Sequence, residues 1–372
     1  MGNNFLADDI VVIGGGVIGL AVANEFLRLG AKVRILERNY CGRESSWAGG
    51  GILSPLLPWD YPDPVTELTQ FSNRLLPSLA ETLRQETGID PEYRACGMLA
   101  LPDMNNKEGT KFIGARDWCT RNTFPLKEVY PNEAFPRLTL GKFADKLALW
   151  LPSVAQVRSP RLLQALKISV ESSGGSIVEH TKVTGWRMAQ GRVESVITDR
   201  GDYSGTNYIV AAGAWSREVL DRYASKINIY PVRGQMLLFK VEASLLDTVV
   251  FQNGFYLIPR QDGYILAGST VEDSGFDKNT TTDARKQLLE RAHNFLPELT
   301  EKTLVGHWAG LRPGSPENIP VINRHPVFDN LYLNSGHHRY GVTMALGSAH
   351  LLSNMIMKNP QPFDVAPYKW HL

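Results

Sequence analysis

A glycine-rich turn between a predicted strand and a predicted helix restricts the fold of this chain more than any other feature. The turn covers residues 14–19 with the sequence GGGVIG, and it follows the apolar run Ile10–Ile13. In such a turn the first glycine permits tight bending, the second lets backbone approach a pyrophosphate, and the third lets helix pack on strand. A second predicted strand, residues 32–36, completes the strand–helix–strand unit of a dinucleotide-binding fold. The alternative is a glycine-rich turn without a ligand in an ordinary α/β protein.

Glu37 ends the second predicted strand at about the expected distance of 20 residues after the glycine motif. A carboxylate at this position accepts hydrogen bonds from ribose hydroxyls. It would repel a 2′-phosphate, so the sequence disfavours NADP as the nucleotide.

Length and charge indicate a two-domain protein with a small-molecule partner. The chain has 372 residues, which is long for one hydrophobic core. Its formal net charge is +1, so no electrostatic attraction to nucleic acid or to an anionic membrane is expected. The first nine residues are acidic rather than basic, unlike a signal peptide, and the apolar residues 10–23 are too few to span a bilayer. We therefore expect a cytoplasmic protein without stable membrane contact.

Cysteine and histidine spacing argues against metal and disulfide chemistry. The cysteines are Cys41, Cys96 and Cys119. They are odd in number, far apart and without a C-x-x-C pair, so we expect reduced and mostly buried thiols. The candidate metal-binding histidines are His307, His337 and His338. They lack acidic companions at metal-ligand spacing, and no metal is predicted.

The first 90 residues continue the nucleotide-binding unit. Residues 45–53 carry three consecutive glycines, which let backbone amides approach a flat ligand. The proline-rich residues 55–64 are expected to form no regular element, and they are either an entrance lid or a surface connection. Residues 65–88 are predicted to be a helix.

From about residue 91 the pattern favours an antiparallel sheet. The predicted strands are residues 97–102, 147–151, 230–241, 248–259, 263–268 and 304–311. An Asp262-Gly263 turn predicts a hairpin between Phe255–Pro259 and the strand that follows.

The nucleotide-binding unit is predicted to resume after this first group of strands. A helix over residues 159–173 and strands over residues 176–183, 192–198 and 208–212 are assigned to it, as is a last portion that begins near residue 311 and ends with the helix after Gly341. The predicted fold class is thus α/β, with a Rossmann-like domain interleaved with a second α+β domain built on an antiparallel sheet. The first domain covers residues 1–90, 153–225 and 310–372, and the second covers residues 91–152 and 226–309.

Several sequence blocks together resemble the D-amino acid oxidase superfamily of FAD-dependent amine oxidoreductases and, within it, the glycine oxidases of the thiamine pathway. The blocks are residues 14–19 with Glu37, and residues 43–51, 209–216, 232–236, 307–316 and 334–341. The resemblance runs almost from end to end. It implies that the first domain binds FAD and the second forms the substrate site.

The resemblance also implies which residues contact the cofactor. The expected FAD-binding residues are Gly14, Gly16, Val17, Ile18, Gly19, Glu37, Arg38, Ser45, Ser46, Ala48, Gly49, Gly50, Gly51, Val183, Ala212, Gly213, Trp215, Arg312, His338, Arg339, Tyr340, Gly341, Val342 and Thr343. No cysteine occurs near residues 309–312, where sarcosine oxidases attach their flavin, so non-covalent FAD is expected.

A predicted helix N-terminus is expected to face the flavin ring. Residues 336–341 lead from a strand into a helix, so the amides of Gly341, Val342, Thr343 and Met344 would lie at the positive helix end. In this family such an end, next to the N1/C2 carbonyl edge, stabilises the anionic reduced ring. The alternative is a plain strand-to-helix connection.

The resemblance assigns substrate binding to Arg312 and Tyr256, with Arg339 nearby. A guanidinium binds a carboxylate through two parallel hydrogen bonds, and a phenol supplies a third donor. The alternatives are a structural ion pair for Arg312 and a plain core position for Tyr256. Val271 replaces a methionine that touches substrate in one branch, and residues 338–341 also depart from the sequence of close relatives.

The implied activity is oxidative deamination of a small amino acid or amine such as glycine, sarcosine or a small D-amino acid. The neutral amine gives a hydride to flavin N5, the imine hydrolyses to a 2-oxo acid and ammonia or amine, and O2 reoxidises the flavin to give hydrogen peroxide. The imine of glycine could serve thiazole synthesis, and a homo-oligomer, dimer or tetramer, is expected. The alternatives are a dehydrogenase of the same fold that uses quinone or another acceptor, a tRNA-modifying FAD oxidase, and a non-catalytic FAD-binding module.

Overall fold

Two large β-sheets organise the structure, which is a computed structural model of the chain. It describes residues 10–54, 57–103, 110–136, 138, 140–243 and 245–370. The N-terminal segment used above to argue against a signal peptide, residues 1–9, lies outside the described residues, as do residues 55 and 56 of the proline-rich segment.

The strands and helices among these residues are as follows. The strands are β1 (Ile10–Ile13), β2 (Val33–Leu36), β3 (Ile52–Leu53), β4 (Arg94–Ala95), β5 (Met98–Ala100), β6 (Lys127–Val129), β7 (Ala148–Leu151), β8 (Ala155–Gln156), β9 (Ser176–Val178), β10 (Val183–Ala189), β11 (Arg192–Thr198), β12 (Gly201–Tyr203), β13 (Asn207–Val210), β14 (Tyr230–Lys240), β15 (Val249–Gln252), β16 (Phe255–Pro259), β17 (Tyr264–Gly268), β18 (Leu304–Gly314), β19 (Val321–Arg324) and β20 (Leu331–Ser335). The helices are α1 (Val17–Arg28), α2 (Ser45–Ala48), α3 (Asp63–Thr87), α4 (Thr110–Arg121), α5 (Pro131–Ala134), α6 (Ser159–Ser172), α7 (Ser216–Leu220), α8 (Thr282–Phe295) and α9 (Gly341–Met357).

The predicted nucleotide-binding unit forms a six-stranded sheet in the order β19-β20-β13-β1-β2-β9. All neighbours are parallel except β19, which is antiparallel to β20. Strand β1 is buried along its whole length because α1, α3, α6 and α9 cover one face of the sheet and a small sheet of β10, β11 and β12 covers the other. This two-sided burial explains why Ile10–Ile13 is a continuous apolar run.

The second sheet has eight strands in the order β18-β14-β17-β16-β15-β5-β7-β6. Its neighbours are antiparallel except β15 and β5, which are parallel, and α8 packs on one face through Leu288, Ala292 and Phe295. The predicted antiparallel sheet and the predicted α/β fold class are therefore confirmed. The predicted β16–β17 hairpin is also confirmed, with Gly263 at a φ of +79° in its turn.

One strand prediction is wrong because a turn interrupts it. Residues 248–259 form two strands, β15 and β16, rather than one. The chain reverses at Asn253 and Gly254, which have φ values of +47° and +75°. Two consecutive positive φ values are typical of a two-residue hairpin turn, for which Asn-Gly is the preferred sequence.

A second strand prediction is wrong for the same kind of reason. Residues 176–183 divide into β9, which belongs to the six-stranded sheet, and β10, which pairs with β11 in the small sheet. His180, at a φ of +55°, lies in the break between them. Residues 192–198 accordingly belong to the small sheet and not to the main sheet.

The proline-rich segment contains more regular structure than predicted. Pro58–Asp60 form a 3-10 turn, and α3 begins at Asp63 with Pro64 in its first turn. Proline is tolerated there because the first amides of a helix have no intrahelical acceptor.

Strand β18 extends beyond its predicted end to Gly314 and pairs with β14 from Leu304 onward. The exact division of the chain into two domains stays a prediction. Among the described residues, every helix is too short or too polar to cross a lipid bilayer.

Arg260 links the end of β16 to Gly50, Gln156 and Val157 through buried hydrogen bonds. It lies just after β16 and is only 5% exposed. Its Nη1 donates to Gln156 Oε1 at 2.5 Å and to the Val157 carbonyl at 3.0 Å, and its Nη2 donates to the Gly50 carbonyl at 2.7 Å. Burial lowers the pKa of Arg260 to about 10, so it is still charged at neutral pH. The eight-stranded sheet is thereby attached to the glycine segment 49–51.

We predict that Arg260→Met lowers the free energy of unfolding by about 2–3 kcal/mol, because three buried acceptors lose their donor. Urea denaturation of the purified protein measures this change. Arg187→Met is the control, since the Arg187 side chain is 59% exposed and pairs with Asp202 at the surface. The control should change stability by less than about 1 kcal/mol. Equal effects of the two substitutions would show that Arg260 is no structural link.

Candidate active site

A cavity of about 520 Å³ lies where residues from the two large sheets meet. This volume is in the usual range of small-molecule sites. The predicted site residues that line it are Gly14, Gly16, Val17, Ile18, Glu37, Arg38, Ser45, Ser46, Ala48, Gly49, Gly50, Gly51, Val183, Ala212, Gly213, Trp215, Tyr256, Arg312, His338, Arg339, Tyr340, Gly341 and Val342. The structure therefore brings together residues that are far apart in the sequence.

Two predicted cofactor residues, Gly19 and Thr343, do not line the cavity. A Cβ on Gly19 would lie 1.9 Å from the Gly14 carbonyl oxygen, so this glycine allows close packing of the turn. Thr343 is buried, and its hydroxyl donates to the Ile52 carbonyl at 3.1 Å, which attaches α9 to β3. Both residues therefore stabilise the elements that form the cavity wall without facing the cavity.

The glycine turn shapes one end of the cavity. Gly14 has a φ of +111°, and a Cβ there would lie 2.5 Å from the Ala211 carbonyl oxygen. Helix α1 begins within the 14–19 motif, at Val17, and its positive N-terminus is a favourable site for an anionic phosphate. Ser46 accepts a hydrogen bond from the Val17 amide at 3.0 Å, which holds segment 45–48 against this helix end.

Glu37 is buried beside the glycine turn with both carboxylate oxygens bonded to backbone. Its Oε2 accepts from the Gly15 amide at 2.8 Å, and its Oε1 accepts from the Asn39 amide at 2.9 Å. An ionised carboxylate can accept about four hydrogen bonds, so two positions remain for a ligand. The contact with ribose stays a prediction.

Arg38 and Trp215 meet on the same wall of the cavity. The guanidinium carbon of Arg38 lies 3.8 Å from the Trp215 ring centroid, and Arg38 Nη2 is 3.0 Å from Glu44 Oε1. Lys278, from the loop between β17 and α8, pairs with the same Glu44 carboxylate at 3.0 Å. The loop that carries Lys278 thus contacts Glu44, at the end of the cavity proposed for the nucleotide.

Two buried side chains lining the cavity have polar atoms without a hydrogen-bond partner among the described residues. Asn334 is fully buried at the end of β20, and neither its amide nitrogen nor its amide oxygen has a hydrogen bond. His337 is 1% exposed, and its Nδ1 is also unpaired. Leaving such groups unsatisfied costs free energy, so the cavity favours an occupant with both donors and acceptors. A flavin nucleotide, with its ring amides and ribityl hydroxyls, fits this requirement.

The hydrogen-bond network assigns the tautomer of His337. The Ser348 hydroxyl donates to the Met344 carbonyl at 2.7 Å, so it accepts from His337 Nε2 at 2.8 Å. The proton is then on Nε2, and Nδ1 is an acceptor. Burial lowers the pKa of His337 to about 3, which keeps the ring neutral at physiological pH. From the sequence, His337 was considered only as a metal ligand or base and Asn334 was given no role of its own, although both lie within the recognised block 334–341.

His338 is also neutral. Burial and the nearby charges of Arg312 and Arg339 lower its pKa to about 3. Its backbone has a φ of +46°, and its amide donates to the Pro313 carbonyl at 2.9 Å. Its Nδ1 has no partner among the described residues.

Helix α9 points its N-terminus at the cavity, as predicted. Met344 lies in the first turn of α9, as predicted, and its amide donates to the Tyr340 carbonyl at 2.8 Å. Gly341 and Val342 line the cavity. The positive helix end is therefore formed by the first residues of α9.

Arg312 lies on β18 and is held entirely by neutral acceptors. Its Nη2 donates to Ser269 Oγ at 2.6 Å, and its Nη1 donates to the Thr270 carbonyl at 3.1 Å. No carboxylate among the described residues pairs with it, which argues against the structural ion pair. Burial, with a smaller contribution from Arg339, lowers its pKa. A Cβ on Gly234 would lie 2.2 Å from Arg312 Nη2, so the guanidinium needs a glycine on β14.

Tyr256 contributes both to the core and to the cavity wall. Its ring packs in a buried cluster that includes Met236, and its hydroxyl donates to Ser269 Oγ at 3.1 Å. Arg339 is half-buried on the same cavity. The three residues predicted to act on substrate, Tyr256, Arg312 and Arg339, therefore share one cavity.

Other predicted features lie away from the cavity. Val271 is 56% exposed and does not line it, so this replacement does not shape the wall. His307 Nε2 is 3.0 Å from Gln235 Oε1, and no metal-binding cluster occurs among the described residues.

The three cysteines are free, and only one matches the expectation of burial. Cys119 is buried, whereas Cys41 and Cys96 are partly exposed. No cysteine lines the cavity.

Comparison with known proteins shows which family the chain resembles. A family model described as FAD dependent oxidoreductase matches residues 9–355. A glycine oxidase of Pseudomonas aeruginosa is 43% identical over 364 residues, which cover 98% of each protein. The bifunctional protein ThiO/ThiG of Synechocystis is 31% identical over 94% of this chain and 51% of its own length. The crystal structure of glycine oxidase from Geobacillus kaustophilus matches with a TM-score of 0.91 at 28% identity, covering 98% of each chain.

We predict that Glu37→Gln raises the FAD dissociation constant about tenfold or more, because a charge-assisted acceptor is lost. Titration of the FAD-free protein with FAD, followed by flavin fluorescence, measures it. Glu179→Gln is the matched control, since Glu179 accepts from the Cys41 amide at 2.8 Å but does not line the cavity. Unchanged FAD affinity in Glu37→Gln would remove Glu37 from the cofactor site.

Proposed function

Because the chain belongs to the family of FAD dependent oxidoreductases, we propose that it binds FAD without a covalent bond and oxidises glycine and other small amines. The other substrates proposed are sarcosine and small D-amino acids. For glycine the reaction consumes O2 and water and yields glyoxylate, ammonia and hydrogen peroxide. The 43% identity to a glycine oxidase over nearly the whole chain supports this choice of substrate.

One observation carries the proposal, the uncompensated guanidinium of Arg312 on the cavity wall. Its hydrogen-bond acceptors are a hydroxyl and backbone carbonyls, so its positive charge lacks a protein counterion among the described residues. A substrate carboxylate supplies that counterion and accepts two parallel hydrogen bonds. Tyr256, on the same wall, adds a phenolic donor. These groups bind an amino acid by its carboxylate and leave the α-carbon free to react.

The cavity around Arg312 has room for a flat flavin ring next to a small substrate. The glycine segment 49–51 lines the same cavity, and a Cβ on Gly50 would lie 2.4 Å from the Ile258 side chain. Absence of side chains lets the backbone approach a flat ligand. FAD, when bound, supplies the acceptor for the hydride from the substrate's α-carbon and passes the electrons to oxygen.

The protein's own contribution is positioning and electrostatics. Arg312 and Tyr256 fix the carboxylate, and the two neutral histidines, His337 and His338, add no charge that would compete for it. The N-terminus of α9 at Gly341 offers partial positive charge to a negative flavin edge. No side-chain base is needed when the amine reacts in its neutral form.

The role in the cell is proposed from the comparisons. The Synechocystis relative is a bifunctional protein ThiO/ThiG, so we propose that the glycine imine formed here supplies thiazole synthesis for thiamine. We further propose a cytoplasmic homo-oligomer, dimer or tetramer. The net charge of +1 supports the absence of nucleic-acid binding and of stable membrane contact.

An oxidase is distinguished from a dehydrogenase by the fate of the reduced flavin. We predict that the glycine-reduced enzyme is reoxidised by dissolved O2 with one hydrogen peroxide formed per glyoxylate. Stopped-flow absorbance after mixing with oxygenated buffer, followed by peroxide assay, measures both. Reoxidation only by a quinone, with no peroxide, would favour the dehydrogenase.

Arg312→Lys tests the carboxylate clamp. Lysine keeps the charge but loses the planar fork, so the variant should be nearly as impaired as Arg312→Ala. We predict a loss of about a hundredfold in kcat/KM for glycine, mostly as failure to saturate, with FAD still bound. The measurement is anaerobic flavin reduction by glycine, sarcosine and glycinamide, the last of which lacks the carboxylate.

The control for this experiment is Arg158→Lys, because Arg158 is paired with Glu92 and Asp262 outside the cavity. It should reduce its flavin like the unmodified enzyme. Glycinamide should be a poor substrate for every variant and should lose little further in Arg312→Lys. Full glycine activity in Arg312→Lys would refute the clamp and, with it, the proposed substrate class.

A further inference from the structure

Ser269 lies between the two groups assigned to the substrate carboxylate. Its Oγ is 2.6 Å from Arg312 Nη2 and 3.1 Å from the Tyr256 hydroxyl. It is 7% exposed and does not line the cavity. One buried hydroxyl therefore touches both groups from behind.

We propose that Ser269 is a positioning residue that fixes Arg312 and Tyr256 in the geometry needed to bind a carboxylate. This inference rests on the proposed function, since it concerns the same substrate site. Ser269 itself does not touch the substrate. It acts through the guanidinium and the phenol.

The hydrogen bonds to Arg312 restrict the orientation of the guanidinium plane. Nη1 donates to the Thr270 carbonyl and, at a longer 3.4 Å, to the Arg233 carbonyl, while Nη2 donates to Ser269. A guanidinium has five N–H groups, so Nε and one N–H of Nη2 remain for a ligand. Two N–H groups are what a carboxylate needs for a two-bond contact. Without Ser269, Nη2 would lose this 2.6 Å hydrogen bond, and the guanidinium plane would be less restricted.

Ser269 also keeps the Tyr256 hydroxyl paired with and without substrate. In the free site the phenol donates to Ser269 Oγ. When a carboxylate arrives, the phenol can donate to it, and the Ser269 hydroxyl can turn to donate to the phenol oxygen. A hydroxyl can reverse its role in this way, whereas a carbonyl cannot. The buried phenol is then satisfied in both states, which lowers the cost of binding.

The strand register places Ser269 at this point and anchors it. Ser269 follows β17, whose last residue, Gly268, is paired with Tyr256 on β16. The next residue, Thr270, accepts a hydrogen bond from the Gln235 amide at 2.8 Å through its hydroxyl. The serine backbone is thus held on both sides by the eight-stranded sheet.

The test compares Ser269→Ala with Ser169→Ala in the FAD-loaded enzyme. Ser169 is a matched control because it is buried and bonded to Asn24 and Glu86, away from the cavity. The first measurement is the dissociation constant of glycolate, a non-reacting analogue of glycine, from its perturbation of the oxidised flavin spectrum. We expect an increase of about tenfold in Ser269→Ala and no change in the control.

The second measurement is anaerobic flavin reduction by glycine and by glycinamide. Ser269→Ala should raise the apparent dissociation constant of glycine about tenfold and change the limiting rate less than about twofold. Glycinamide, which has no carboxylate, should be unaffected. Ser269→Thr, which keeps the hydroxyl, should recover glycolate binding. If Ser269→Ala loses its flavin, Ser269→Cys replaces it in the test. Cysteine is similar in size to serine but hydrogen-bonds only weakly, so this variant should bind glycolate as weakly as the alanine variant.

Unchanged glycolate affinity in Ser269→Ala, or equal losses on glycine and glycinamide, would overturn the positioning role. Failure of glycine to reduce the unmodified enzyme would instead contradict the proposed function. The glycolate measurement needs no turnover, so the two failures can be distinguished.

Discussion

Arg312 carries a positive charge at a partly buried position where every protein partner is neutral, and much of the site follows from that constraint. The side chain crosses β14 only because residue 234 is glycine. It is oriented by the Ser269 hydroxyl and two backbone carbonyls, none of which neutralises it. Glu272, an acidic side chain whose charge acts on the pKa of Arg312, is bonded to Arg233 and Gln235 instead. An anionic substrate would therefore supply the counterion that Arg312 lacks among the described residues.

Other positive groups lie on the same cavity, toward the proposed cofactor site. Arg339 and the N-terminus of α9 add positive potential near Arg312. His337 and His338 stay neutral because burial lowers the pKa of each to about 3. A positive potential stabilises both a bound carboxylate and a negative reduced flavin. In the proposed function, the same charges would serve both substrate binding and electron transfer to the flavin.

Much of the fold could be predicted because its signals are local. The glycine turn after Ile10–Ile13, the helix α9 after Gly341 and the β16–β17 hairpin each depend on a few consecutive residues. The wrong strand over residues 248–259 also had a local signal, Asn253-Gly254, which is a preferred hairpin turn. The parallel pairing of β15 with β5 had none, because it joins strands about 150 residues apart.

Local sequence signals also determine how much of the site could be predicted. The family resemblance pointed to Arg312, Tyr256 and the glycine segment 49–51, and the structure places all of them on one cavity. Ser269, Asn334 and His337 were missed as site residues because their importance depends on partners, or on missing partners, in three dimensions. A serine is an ordinary residue in a sequence until its hydroxyl is found between a guanidinium and a phenol.

The most direct test of this account is a crystal structure of the FAD-loaded enzyme with glycolate. The account predicts that the glycolate carboxylate lies within hydrogen-bonding distance of Arg312 and of the Tyr256 hydroxyl, with its α-carbon facing the isoalloxazine ring. Ser269 should remain in contact with both side chains. A carboxylate bound elsewhere in the cavity, with Arg312 still held only by neutral acceptors, would contradict the account.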